Sequence, residues 1–186
     1  MFKMFILMLI FLMKHWRTSV KPEYIRILGI DPGSIRTGFG LIESNGQQSR
    51  YIDSGHLKLS GEHLPIKLGQ IFSELSKIID EYEPQEMAIE QVFMSKNAGS
   101  ALKLGQARGA AITAGVNAEL PVFEYSAKSV KQAVVGYGAA SKDQVQLMVS
   151  KILNMRVSMQ EDEADAVAIA LCHAHTGLNR ALIREK

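Results

Sequence analysis

Cysteine is almost missing from this sequence: Cys172 is the only one in 186 residues. No internal disulfide can form and no Cys-x-x-Cys pair offers a structural zinc site, which excludes a secreted stapled fold and a zinc ribbon and points to a reducing compartment. Long apolar runs are missing too. The run MFILMLIFLM covers residues 4–13 only, well short of the roughly 20 residues that span a bilayer. Charged residues make up 22% of the chain and the net charge is only +2. Set against 47% apolar residues and a mean hydropathy of +0.03, that scarcity excludes intrinsic disorder. The length excludes two large domains and favours one compact domain with a short appendage.

The leading segment is basic around its apolar run, with Lys3 before it and Lys14, His15 and Arg17 after it. It has the outline of an export signal but lacks a small-residue cleavage site. A reading frame extended upstream of the true start, near Val20, accounts for it equally well. Residues 1–22 are therefore expected to lie outside the fold, with the domain over 23–178 and a short tail over 179–186.

The modest net charge hides an asymmetry. Between positions 91 and 160, Lys96, Lys103, Arg108, Lys128, Lys131, Lys142, Lys151 and Arg156 face only Glu119, Glu124 and Asp143. From 74 to 90, Glu74, Asp80, Glu81, Glu83, Glu86 and Glu90 face one Lys77. A basic section beside separate acidic positions suits a polyanion held near a carboxylate site. Solvated helix faces produce the same kind of run.

From Tyr24 the pattern is ordered. YIRILGID stops at Pro32-Gly33, and TGFGLIES and QSRYIDSGHLKL flank the turn Asn45-Gly46, so three antiparallel strands are expected. Ile66, Leu68, Ile71, Leu75, Ile78 and Ile79 mark a helix over 64–82 that ends at the pre-proline Glu83. A strand over 87–93, an Ala/Gly-rich helix over 100–120, a strand in PVFEYSA, a helix capped by Ser141 and a last helix from Asp162 to about His175, stopping at Gly177, complete the order. That order describes an α/β fold, a mixed sheet with helices on both faces.

Acids stand in three places where a purely structural sequence would not put them. Asp31 ends the first strand, at the sheet edge where ligand sites of α/β proteins gather. Glu90 interrupts the apolar strand MAIEQV, where an uncompensated charge costs several kcal/mol. Asp162 and Asp165 open the last helix three residues apart, about 60° around its axis. Hard cations such as Mg2+ take oxygen ligands and substrate phosphates, and four such carboxylates could hold two ions about 4 Å apart for phosphodiester hydrolysis. Each acid also has an ordinary account: Asp-Pro-Gly is a turn, and Asp-x-x-Asp complements a helix N-terminus.

Other motifs point elsewhere. Gly33, Gly38 and Gly40 precede a strand and not a helix, which disfavours a phosphate-cradling loop and leaves hairpin glycine as the expectation. Cys172, His173 and His175 are read as a buried thiol beside exposed imidazoles, because neighbours on a helix point apart. Met148, Met155 and Met159 are packing residues, and no serine sits in a nucleophile elbow.

The blocks ILGIDPGSIRTGFG, AIEQVFMSKNAGSALKLGQARGA, VFEYSAKSVKQAVVGYGAASKDQVQ and DEADAVAIA, taken in order, closely resemble the RuvC family of bacterial Holliday-junction endonucleases, within the RNase H-like superfamily. The resemblance covers residues 25–176. It implies an RNase H-like fold and a cytoplasmic homodimer that acts in DNA recombination and repair. It also implies Mg2+-dependent nicking of two symmetry-related strands of a four-way DNA junction, with two ions per site, Mn2+ able to substitute, and a branch-migration complex of RuvA and RuvB as partner. Carried over by position, the catalytic and metal-holding acids are Asp31, Glu90, Asp162 and Asp165. Phe93 falls on the aromatic beside the junction, and Lys131 and Lys142 on DNA-contacting, catalysis-assisting lysines. Lys96 and Lys103 join them on the expected DNA face. On sequence alone Phe93 is equally a core ring at a strand end. The rivals are an actin-like ATPase or sugar kinase, whose fold needs a second half that this length lacks, and a silent DNA-binding module, which would not need the four acids.

Overall fold

The computed structural model describes residues 24–92, 97–155 and 159–184, with side chains as far as Gly177. The first three strands are β1 (Ile25–Asp31), β2 (Arg36–Ser44) and β3 (Ser49–Lys58), and they pair antiparallel in sequence. Gly46, at φ 82°, supplies the left-handed residue that the turn between β2 and β3 requires. Helix α1 (Leu64–Tyr82) follows, then β4 (Glu86–Glu90), α2 (Ala98–Asn117) and β5 (Val122–Tyr125). β4 lies parallel to β1 and β5 parallel to β4, giving the order β3-β2-β1-β4-β5. Helices α3 (Ala127–Val135), α4 (Lys142–Ile152) and α5 (Glu161–Arg184) close the chain. The mixed sheet with helices on both faces is borne out.

Strand alternation divides the core in two. Leu28, Ile30, Leu41, Met87 and Ile89 face α1 and α2, where Ile71, Leu75, Ile79, Ala107, Ala111 and Ala114 meet them. Ile27, Ile42, Ala88 and Tyr125 face α5, which α3 and α4 cover from outside through Val130, Val134, Val145 and Val149. Ile66, counted in the apolar stripe of α1 by its spacing, stays 53% exposed because it sits in the first turn, ahead of the helix's buried stretch.

Several local expectations are refined. Glu83 ends α1 in the left-handed region (φ 45°) and its N–H donates to the Ile79 carbonyl, the stop that a pre-proline position favours. Helix α3 follows β5 inside PVFEYSAKSVKQAVVG, where the sequence pattern predicts only a strand; Ser126 accepts from the Ser129 N–H as its N-cap and Gly136 closes it at φ 81°. The last helix does not stop at Gly177 but runs to Arg184. Glycine lowers helix propensity by about 1 kcal/mol without forcing an end, and Gly177 is not among the residues with positive φ. The leading residues 1–22 lie outside the described residues.

Gly38 and Gly40 are corrected from hairpin to floor. They lie inside β2, where Gly40 is paired with Gly29 of β1, and all three face α5. A Cβ on Gly29 would sit 2.1 Å from the Ala166 carbonyl oxygen, and one on Gly38 would sit 2.2 Å from that of Asp162. These bare positions let the α5 backbone rest directly on β1 and β2, which fixes how far Asp162 and Asp165 stand from Asp31. Gly29→Ala is therefore expected to lower the urea midpoint at unchanged m, costing about 1–3 kcal/mol by overpacking. Gly69→Ala, in α1 with nothing within 4 Å of the added carbon, should instead be neutral or gain up to about 1 kcal/mol. Equal midpoints for the two variants would remove the floor.

Candidate active site

Asp31 and Glu90 are the last residues of neighbouring parallel strands whose register pairs Ile30 with Ile89. Both side chains therefore leave the same sheet edge on the α5 face. Beyond Asp31 the chain turns at Pro32-Gly33, held by Thr37, whose hydroxyl donates to the Gly33 carbonyl at 3.0 Å. Asp165 reaches the same edge from the first turns of α5. Asp31, Glu90 and Asp165 line one open pocket of about 270 Å³ together with Ala127, Val130 and Lys131 of α3, Lys142 and Val145 of α4, and Ile169.

The acids disturb one another. Burial, then the charges of Glu90, Asp165 and Asp162, push the Asp31 carboxyl up to about 7, with Lys142 opposing. Glu90 is raised by burial and by Asp165, opposed by a hydrogen bond to Asp31 and by Lys142 and Lys131. Asp165 is raised by burial against the pull of Lys142. Lys142 bridges Glu161 and Asp165, the latter at 3.5 Å, and is itself raised, chiefly by its bond to Glu161. Among the described residues, no three carboxylate, thiol or imidazole groups converge as ion ligands do. Asp31 and Glu90 end neighbouring strands, and Asp165 turns to Lys142.

Of the residues singled out in the sequence, Asp31, Glu90, Asp165, Lys131 and Lys142 meet at this pocket. Asp162 stands at its margin: it is close enough to raise Asp31, but it lies outside the lining and pairs loosely with Arg36 at 3.8 Å. Lys103 is exposed on α2 and outside the pocket. Phe93 and Lys96 fall outside the described residues. Cys172 is buried and its thiol is pushed up to about 11 by desolvation, which leaves it protonated at neutral pH.

The imidazoles differ from expectation. His173 is 3% exposed, not on the surface, because α5 is covered by the sheet on one side and by α3 and α4 on the other. Its ring lies 4.4 Å from that of Phe123, and its two nitrogens are hydrogen bonded to the Tyr125 hydroxyl at 2.6 Å and to Glu86 at 2.5 Å. His175 is half-buried against the Ala133 carbonyl.

The chain matches the family model for crossover junction endodeoxyribonuclease RuvC over residues 27–173. It belongs to the RuvC family. The family's activity, endonucleolytic cutting of DNA at crossover junctions, is therefore its activity class. It is 55% identical over 157 residues to the RuvC of Shewanella sp. strain MR-4, covering 84% of this chain and 90% of that one. Among solved structures, Thermus thermophilus RuvC aligns with a TM-score of 0.77 at 32% identity, over 84% of this chain and 97% of that chain. T. thermophilus RuvC in complex with Holliday junction substrate aligns with the same TM-score at 33% identity, over 82% of this chain and 94% of that one. Membership of this family accounts for the order of strands and sets aside the actin-like ATPase or sugar-kinase reading. No helix among the described residues is long and apolar enough to cross a membrane.

Proposed function

We propose that this RuvC-family chain resolves four-way DNA junctions by Mg2+-dependent hydrolysis, with Asp31, Glu90, Asp162 and Asp165 as the acids that hold the metal. The observation that carries the reading is the clustering of Asp31, Glu90 and Asp165 in one pocket, each with its ionised form disfavoured. Three like charges at one edge, offset only in part by Lys142 and Lys131, are an electrostatic deficit that a dication repairs. The donors are all hard carboxylate oxygens, and the open pocket leaves room for phosphate oxygens and water, so the residues fit Mg2+ or Mn2+. When bound, such ions, two in the arrangement proposed, generate a nucleophilic water and stabilise the leaving oxygen.

The chain's own groups have separate tasks. Burial and neighbouring charge favour the protonated forms of Asp31 and Glu90, and those protons must leave before the carboxylates can hold a cation, so loading is favoured as pH rises. Lys142 holds Asp165 in place and stands with Lys131 at the pocket wall, where each can meet a phosphate oxygen and balance charge as the bond breaks. A four-way junction has approximate two-fold symmetry, so a homodimer would meet two equivalent strands with one site per copy.

Purified protein is to be incubated with a synthetic four-way junction and with a linear duplex of the same sequence, with Mg2+ and with EDTA. Paired, symmetric nicks in the junction alone, dependent on Mg2+, are expected. Equal cutting of the duplex, or cutting in EDTA, would overturn the reading.

A further inference from the structure

We infer that Arg108 is a positioning residue for Glu90: it replaces a strand hydrogen bond that the turn after Asp31 cannot supply, and so fixes the end of β4 that carries this acid. The inference rests on the reading of Glu90 as a metal-holding carboxylate.

The argument starts from the register of the parallel strands. Along β4, the odd-numbered residues bond toward β5: the Met87 N–H donates to the Pro121 carbonyl and the Gln91 N–H to the Tyr125 carbonyl, at 2.9 and 2.8 Å. The even-numbered residues of the strand therefore face β1. With Ile30 opposite Ile89, the carbonyl of Glu90 faces the next donor position of β1, and that position is Pro32. Proline has no N–H. The sequence Asp31-Pro32 that turns the chain away from the site also removes the ladder bond that would have anchored the Glu90 peptide. A carbonyl left open at a strand end loosens the residue that carries it.

Arg108 fills the gap. Its Nε–H donates to the Glu90 carbonyl oxygen at 3.0 Å, and its second arm pairs with Glu124 of β5 at 2.5 Å. The side chain is only 20% exposed, and it projects from α2 one residue after Ala107, which is buried against the sheet. The guanidinium thus clamps the ends of β4 and β5 from the face opposite α5, while the Glu90 carboxylate points to the α5 face. A planar fork held at two points transmits position better than a point charge. Arg108 belongs to the basic stretch that suggests a polyanion partner, but both contacts are spent inside the fold.

The test compares Arg108→Met, Arg108→Lys and Glu124→Gln. Mn2+ binding to metal-free, DNA-free protein is followed by calorimetry, and junction binding and single-turnover cleavage are measured beside it. Arg108→Met keeps the aliphatic stem and loses the donors. It is expected to weaken Mn2+ binding and slow cleavage by about 10- to 100-fold, the usual effect of removing a group that orients a metal ligand, with junction affinity in EDTA unchanged. Arg108→Lys, which can reach the carbonyl with one donor, should recover most of both losses, and Glu124→Gln should change either by less than about threefold. Wild-type Mn2+ affinity in Arg108→Met would overturn the assignment, as would a parallel loss of junction affinity, which would make Arg108 a DNA contact. Should Arg108→Met fail to fold, Glu124→Gln and Arg108→Lys decide: wild-type folding with Mn2+ affinity lost equally in both would show that the ion pair, not the carbonyl bond, is what matters, and would overturn it. Glu90→Gln tests the underlying reading separately. Full Mn2+ binding and cleavage in that variant would sink the metal assignment itself, whatever Arg108 does.

Discussion

Asp31→Asn is expected to abolish junction cleavage and, at the same time, to make the metal-free protein more stable at pH 7.5. The first effect follows from losing one carboxylate of the cluster: several kcal/mol of stabilisation at the reacting phosphate corresponds to about a thousandfold in rate or more. Junction binding should survive, since the amide removes no phosphate contact. The second effect follows from linkage. The Asp31 carboxyl is raised from 3.8 to about 7 by burial and by Glu90, Asp165 and Asp162. Between those values the folded chain keeps a proton that the unfolded chain has lost, so stability falls as pH rises through the window and the cost is fully present above 7. With about 1.4 kcal/mol per pH unit, the ionised carboxylate costs roughly 2–4 kcal/mol at pH 7.5. The amide carries no such charge and can donate to Glu90. Thermal unfolding in EDTA at pH 5, 6, 7 and 8 should show wild type losing Tm relative to Asp31→Asn as pH rises, with the gap closing when Mg2+ is added. A constant gap across that range would mean that Asp31 is not held protonated by its neighbours.

The same residue shows why so much of the candidate site is legible in the sequence. An acid at a strand end beside Pro-Gly, and another inside an apolar strand, break the local rule that charge avoids the core, and such breaks concentrate where function requires them. Asp162 and Asp165 share a helix face, but spacing alone cannot say that Asp165 enters the pocket while Asp162 turns toward Arg36, because that depends on where α5 comes to rest. The resting place is set by Gly29, Gly38 and Gly40, which in sequence look like hairpin glycines. Only strand pairing shows that they form one patch beneath a helix far away in the chain. The burial of His173 is hidden from the sequence for a related reason. Helical spacing finds one buried face, but α5 is buried on two sides, between the sheet and the pair α3 and α4. Arg108 looked like part of a basic surface because nothing local shows that the Glu90 carbonyl faces a proline.

Lys142→Met should lower cleavage by about 100- to 1,000-fold, the range seen when one preorganised electrostatic donor is removed from an active site. Lys142 is a cation that opposes the upward pKa shifts of Asp31, Glu90 and Asp165 alike. It reaches the cluster because Ser141 caps α4 through a reciprocal capping box with Gln144, which places Lys142 in the first turn beside the start of α5. Without the ammonium all three acids hold protons to higher pH, and protons compete with Mg2+ for the same oxygens. The rising limb of the pH–rate profile should therefore move to higher pH, and part of the lost rate should return above pH 8. Junction affinity should fall only slightly, since at most one phosphate contact is lost. A structural origin predicts something else. Lys142 also bonds Glu161 at the start of α5, and if that link between α4 and α5 were what mattered, Glu161→Gln would reproduce the loss. Because the pair is exposed, its net contribution to stability is at most about 1 kcal/mol, so Glu161→Gln should cleave at close to the wild-type rate with an unmoved pH limb. Equal losses in the two variants, or an unmoved limb in Lys142→Met, would take Lys142 out of the chemistry and leave it as a tie between helices.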